Sequence, residues 1–259
     1  MTLKKSIPFI FAIGVFAVAP SFPTIAATSP ISASQLSPSE LFDRAYAKQQ
    51  RGDYRGAIAD YTQAIRLKPD FLAAYGNRGN SRSRLGDYRG AIADYEQVLK
   101  LNPNDPLAYL NRGDARSGLG DRKGAIADYT QAIRLKPDYA DAYYNRGIDR
   151  AATGDKKGAI ADYTKTIELD PEYIGAYGNR GNLRFDMGDR QGAIDDYNQV
   201  LQINANDPIA YYNRARVRAA MGDRTNAIAD YQKAIDLTRN SGNSRLHQNA
   251  INGLRQLQR

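Results

Sequence analysis

The chain has 259 residues with no Cys, no Trp and a single His, and its 36 Lys and Arg outnumber 28 Asp and Glu to give a net charge of +8. Without thiols and with one imidazole, neither Cys/His zinc sites nor Cys–His or Ser–His nucleophile pairs can be assembled. The absence of Cys is neutral on redox compartment, and the basic balance raises nucleic acid or another polyanion as a partner to be tested against the pattern of the charges.

At the N-terminus Lys4 and Lys5 precede an apolar run from Ile7 to Val18, followed by Thr24-Ile25-Ala26 and Ile25-Ala26-Ala27, which are suitable for cleavage. This pattern predicts a secretory signal peptide over 1–27 and an exported chain, periplasmic, lumenal or secreted. The run is shorter than the roughly 20 residues of a spanning helix, and Pro20 and Pro23 follow it, so no transmembrane span is expected in the mature chain. No Cys lies near the cleavage region, which excludes a lipid anchor there. Residues 28–37 read as a Ser/Pro/Ala-rich spacer. Ser37 is placed as an N-cap, with Pro38 first in the helix and Glu40 completing a capping box.

From residue 38 one unit of 34 residues is written six times, over 38–71, 72–105, 106–139, 140–173, 174–207 and 208–241. Gly-Asp stands at the fifteenth and sixteenth places of each unit, from Gly52-Asp53 to Gly222-Asp223, and Asp-Tyr at the twenty-third and twenty-fourth, from Asp60-Tyr61 to Asp230-Tyr231. Small residues hold the eighth place (Ala45, Gly79, Gly113, Gly147, Gly181, Ala215) and Ala the twentieth, with aromatic or large residues at the fourth and twenty-fourth. The runs Leu107–Leu119 and Lys123–Leu135 have helical spacing, so each unit is expected to be a helix hairpin. The Gly supplies a left-handed turn and the Asp caps the second helix. Residues 242–259 follow as a capping helix with an apolar stripe of Leu246, Ala250, Leu254 and Leu257; Gly253 weakens it, and His247 reads as a surface residue without partners. A second period of 102 residues makes the array a duplicated three-unit block: 70–80 returns as 172–182, and Asn104-Asp105-Pro106 as Asn206-Asp207-Pro208.

The unit length, the Gly-Asp turn, the small and aromatic places and the Pro at the thirty-second place (Pro69, Pro103, Pro137, Pro171) resemble the tetratricopeptide repeat (TPR) family over about four-fifths of the chain. With the leader, the resemblance is to an exported bacterial type. It implies an all-α fold: an α-solenoid of six helix-turn-helix repeats in a right-handed superhelix, closed by the capping helix, with no cofactor and no metal. It also implies that the first helices line a groove that holds a protein or peptide ligand.

Two sets of repeated polar residues compete for that role. Arg holds the seventh place of every unit (Arg44, Arg78, Arg112, Arg146, Arg180, Arg214) and a cation the eleventh (Lys48, Arg82, Arg116, Arg150, Arg184, Arg218), where the family tends to put Leu and Tyr. Cations four apart repel, so the twenty-third-place Asp is their expected partner across the hairpin, forming an internal ladder; an external patch for anionic surfaces is the alternative. Nucleic acid is set aside because a charge matched in every unit points to structure. The groove stripe is placed on Asn77, Asn111, Asn145, Asn179 and Asn213 at the sixth place, with Asn80, Asp114, Ile148, Asn182 and Arg216 at the ninth. Their amides suit a peptide backbone, or else bond to a neighbouring helix. Tyr46, Tyr144 and Tyr212 are surplus aromatics on the same stripe, with Tyr144 and Tyr212 the candidate contacts. The cation clamp by which some TPR co-chaperones hold acidic tails is absent, because the fifth places carry Phe42, Gly76, Leu110, Tyr144, Gly178 and Tyr212. No Gly-rich phosphate loop is present, because the glycines fall at the repeat period. The expected function is a non-enzymatic scaffold or assembly adaptor, with peripheral binding to anionic membrane or polymer surfaces as the alternative.

Overall fold

The computed structural model describes residues 36–239 and 244–258. The leader, and all of the spacer before Leu36, lie outside the described residues. Two compact units divide the described chain between Pro137 and Asp138, two residues before the junction of the two 102-residue blocks.

In the first unit, α1 (Pro38–Gln50) and α2 (Tyr54–Leu67), α3 (Leu72–Arg84) and α4 (Tyr88–Leu101), and α5 (Pro106–Gly118) and α6 (Arg122–Leu135) form three antiparallel hairpins. The second unit repeats this with α7 (Ala140–Ala152) and α8 (Lys156–Leu169), α9 (Ile174–Asp186) and α10 (Arg190–Ile203), and α11 (Pro208–Ala220) and α12 (Arg224–Thr238). It ends in α13 (Ser244–Gln258). Within each unit the hairpins pack in chain order, as in an α-solenoid, and α13 lies against α12 and α11. No strand occurs among the described residues.

The turns follow from two residues. All six fifteenth-place glycines have positive φ, from 78° at Gly86 to 91° at Gly154. In the first hairpin the Gly52 N–H bonds to the Gln49 carbonyl and the Asp53 N–H to the Lys48 carbonyl, the pair of bonds that closes a helix around a left-handed residue. Asp53 then accepts from the Gly56 N–H and starts α2, and its counterparts do the same down to Asp223. At the start of α1 the Ser37–Glu40 capping box is formed in both directions.

Packing is built from the small places. The twenty-fourth-place Tyr ring is buried against the eighth-place residue, so that a Cβ on Gly79 would meet the Tyr95 ring at 2.7 Å and one on Gly113 the Tyr129 ring at 2.6 Å. Within each unit the third-place alanines (Ala74 and Ala108 in the first, Ala176 and Ala210 in the second), 0–3 % exposed, bring successive hairpins close. Of two expectations about the cap, one is extended and one corrected. Gly253 is not merely a weak helix residue: a Cβ there would meet the Tyr231 ring at 2.5 Å, so the glycine admits α13 onto α12. His247 has a partner, since its Nδ1 lies 3.0 Å from the hydroxyl of buried Thr238.

Candidate binding stripe on the first helices

The cations of the seventh and eleventh places point into the hairpin, away from the stripe. Each seventh-place Arg makes an N···O contact of 2.6–2.7 Å to the twenty-third-place Asp, and each eleventh-place cation one of 2.7–2.9 Å to the same carboxylate. The six aspartates are 1–6 % exposed, so the ladder expected from the sequence is present in all six hairpins and is internal. At Asp60 burial pushes the carboxyl up, but hydrogen bonds from Arg44 and Lys48 outweigh it and hold it below the usual carboxylate range. Two further contacts were not legible in the sequence. From Arg78 to Arg214 the seventh-place guanidinium lies 5.4–5.7 Å from the fourth-place Tyr ring, a cation–π arrangement. Its remaining nitrogen reaches the preceding hairpin, from Arg78 to Thr62 (3.1 Å), Arg180 to Thr164 (3.0 Å) and Arg214 to Asn198 (2.7 Å).

The stripe ranges from buried (Asn111) through half-buried to exposed (Asn182, Arg216) and is internally bonded. In three hairpins the ninth-place residue accepts from the buried twenty-fourth-place hydroxyl: Tyr95 donates to Asn80, Tyr129 to Asp114 and Tyr197 to Asn182, at 2.7–2.8 Å. The sixth-place amides divide. Asn111 donates to Asn80 (3.4 Å) and Asn213 to Asn182 (3.3 Å), each joining successive first helices, whereas Asn77 donates back to its own helix at Ala73. Asn179 donates to the Tyr144 hydroxyl (3.2 Å), and Tyr144 packs with Tyr173 (4.7 Å between ring centroids) and Tyr163 (5.9 Å). Burial therefore raises the Tyr144 phenol above its ordinary pKa. Asn145 is half-buried on α7. Tyr212 packs at 5.9 Å from Tyr231, and exposed Arg216 lies over the Phe185 (5.5 Å) and Tyr212 (5.8 Å) rings. Tyr46, stacked on Phe42, is 36 % exposed. Most of the stripe residues therefore carry contacts within the scaffold itself.

Among the described residues no group of His, Cys, Asp and Glu has the arrangement of a metal site, and no helix is long and apolar enough to cross a membrane.

Sequence profiles of the TPR repeat match residues 45–86, 79–120, 118–148 and 181–222, and those of the tetratricopeptide repeat match 140–173 and 209–241. The chain belongs to the tetratricopeptide repeat family. Among solved structures this TPR protein is similar to MamA, with 28% identity and a TM-score of 0.60 over 62% of this chain and 94% of that one. It also shares its fold with YrrB, described as a TPR protein with an unusual peptide-binding site (22% identity, TM-score 0.63, 74% of this chain and 96% of that one). A further likeness is to a TPR protein from Parabacteroides merdae (21% identity, TM-score 0.65, 85% of this chain and 92% of that one). No curated protein sequence matches the TPR chain.

Proposed function

We propose that the chain is an exported scaffold or assembly adaptor that holds a protein or peptide partner along the stripe of its first helices. Membership of a family of protein-binding repeats supports the coarse reading. The observation that carries the finer one is the division of labour between the polar sets: the ladder is consumed inside each hairpin, whereas the stripe sets amide groups among exposed or half-exposed aromatic rings. A second reading rests on the second helices of the first unit. Arg55, Arg89 and Lys123 at the eighteenth place and Arg66, Lys100 and Arg134 at the twenty-ninth are all exposed, a face suited to an anionic polymer or membrane. Salt separates the two: polyanion binding falls steeply with log salt and is indifferent to the nature of the anionic surface, whereas stripe binding depends weakly on salt. Export follows the same logic of test. Replacing Lys4 and Lys5 by Glu should block processing of the precursor, and normal processing of that variant would remove the signal-peptide reading.

A further inference from the structure

The fifth place of the repeat is filled by a large side chain in four hairpins, by Phe42, Leu110, Tyr144 and Tyr212, and is glycine in two, at Gly76 and Gly178. These two are 102 residues apart, one in each unit. Neither glycine is required by its backbone or by a close neighbour: a Cβ at Gly76 would be 3.9 Å from Val98, and one at Gly178 would meet nothing within 4 Å. This is unlike the eighth-place and nineteenth-place glycines, where an added Cβ collides. What the glycine leaves in the first unit is a notch of about 30 Å³ between α3, α4 and α5, with an aliphatic floor of Leu72, Val98 and Leu107. The corresponding places in the second unit carry Ile174, Val200 and Ile209, the last 54 % exposed.

The rim is chemically directional. At the first notch the Asn80 oxygen is occupied by the Tyr95 hydroxyl and the Asn111 amide, which leaves the Asn80 NH2 and the Asn111 carbonyl oxygen unbonded among the described residues. The second has the same triangle in Tyr197, Asn182 and Asn213. One free donor beside one free acceptor matches the N–H and C=O of a peptide in extended conformation. The charge one turn further along differs. Asp114, which accepts from the Tyr129 hydroxyl and keeps its negative charge, follows Asn111 in the first unit, and in the second exposed Arg216 follows Asn213, held over two rings and paired with no acid among the described residues.

The geometry points to two equivalent subsites, one per unit, each seating a small aliphatic side chain of an extended peptide in the glycine notch while the asparagine pair holds its backbone. The charge beside each notch then selects the neighbouring peptide residue, basic at the first and acidic at the second. This inference rests on the peptide-binding reading of the stripe. It is tested on the full mature chain by following backbone amide resonances during titration with acetyl-Val-Glu-amide and acetyl-Val-Lys-amide at millimolar concentrations.

The expected result is two sets of shifts, around Gly76, Asn80 and Val98 and around Gly178, Asn182 and Val200. Val-Lys should be favoured at the first and Val-Glu at the second by about two- to fivefold, the range of an exposed ion pair. Gly76→Leu should erase the first set alone and Gly178→Leu the second alone. Leu fits this place at Leu110, and the Gly76→Ala and Gly178→Ala variants, which should melt at or above the temperature of the parent, control for folding. Unchanged shifts in the leucine variants, or no shifts at the notches, would overturn the subsites. Shifts confined to other first-helix residues such as Asn145 and Ile148 would overturn the subsites and leave the stripe as a peptide site, and shifts away from every first helix would overturn both.

Discussion

A carboxylate buried between two cations of one helix is held by both, so removing it leaves more behind than removing either partner. Asp162→Ala would leave Arg146 and Arg150 facing each other and should cost about 3–5 kcal/mol, with Arg146→Ala costing less. Arg150→Ala should cost least, because its side chain is 26 % exposed against 11 % for Arg146. Urea unfolding of the three variants checks the order. Titration probes the equivalent carboxylate of the first hairpin. The folded state lowers the Asp60 pKa, so its contribution is complete above the unfolded value near 4 and is lost as pH falls through the lower folded value. Unfolding free energy should therefore decline below about pH 4, and the Asp60→Asn variant should show a flatter decline. The pairing of seventh, eleventh and twenty-third places was legible because three charges recur in fixed register. The third Arg contact, to Thr62, Thr164 or Asn198, was not, because it crosses between hairpins to a place that varies.

Within the helix hairpin, glycines of the same spelling do three jobs and should respond to Ala in three ways. Gly120→Ala meets no atom but forces a side chain to φ of 83°, which should cost about 1 kcal/mol or more. Gly113→Ala drives a methyl into the Tyr129 ring and should cost about 1–3 kcal/mol. Gly178→Ala lies in open space inside a helix and should stabilise by up to about 1 kcal/mol. Thermal melts of the three give the signs directly, and a uniform loss would contradict the packing described. The buried tyrosines add a pH limit. Burial raises the phenols of Tyr61, Tyr163 and Tyr197 far above the ordinary 10.0, so the folded state favours the neutral form. That contribution is present below pH 10 and lost as pH rises above it, so tyrosinate absorbance and loss of helix should appear together in alkali. Helix ends, turns and the small–aromatic contacts were all readable from periodicity, since each depends on residues at a fixed offset. The roles of Gly253 and His247 were not, because α13 occurs once and its contacts with Tyr231 and Thr238 have no repeat to declare them.

At the scale of the molecule, stability comes from hairpins covering one another, so a single hairpin should not fold: residues 106–139 alone should melt without a cooperative transition. The sequence made the stripe visible but not its double use. Asn80 and Asn182 read equally well as ligand groups or as bonds to a neighbouring helix, and the structure shows their oxygens turned inward to Tyr95 and Tyr197. What decides function is the side of the hairpin on which the partner sits. The direct measurement is a quantitative pull-down from the compartment of origin, at low and high salt, with three forms of the mature chain. The first is the parent, the second carries Ala at Asn145, Asn182 and Asn213, and the third carries Gln at Arg55, Arg66, Arg89, Lys100, Lys123 and Arg134. The account predicts that the second form loses the partner while the third retains it at both salt concentrations; loss in the third form with retention in the second would place binding on the basic second helices and contradict it.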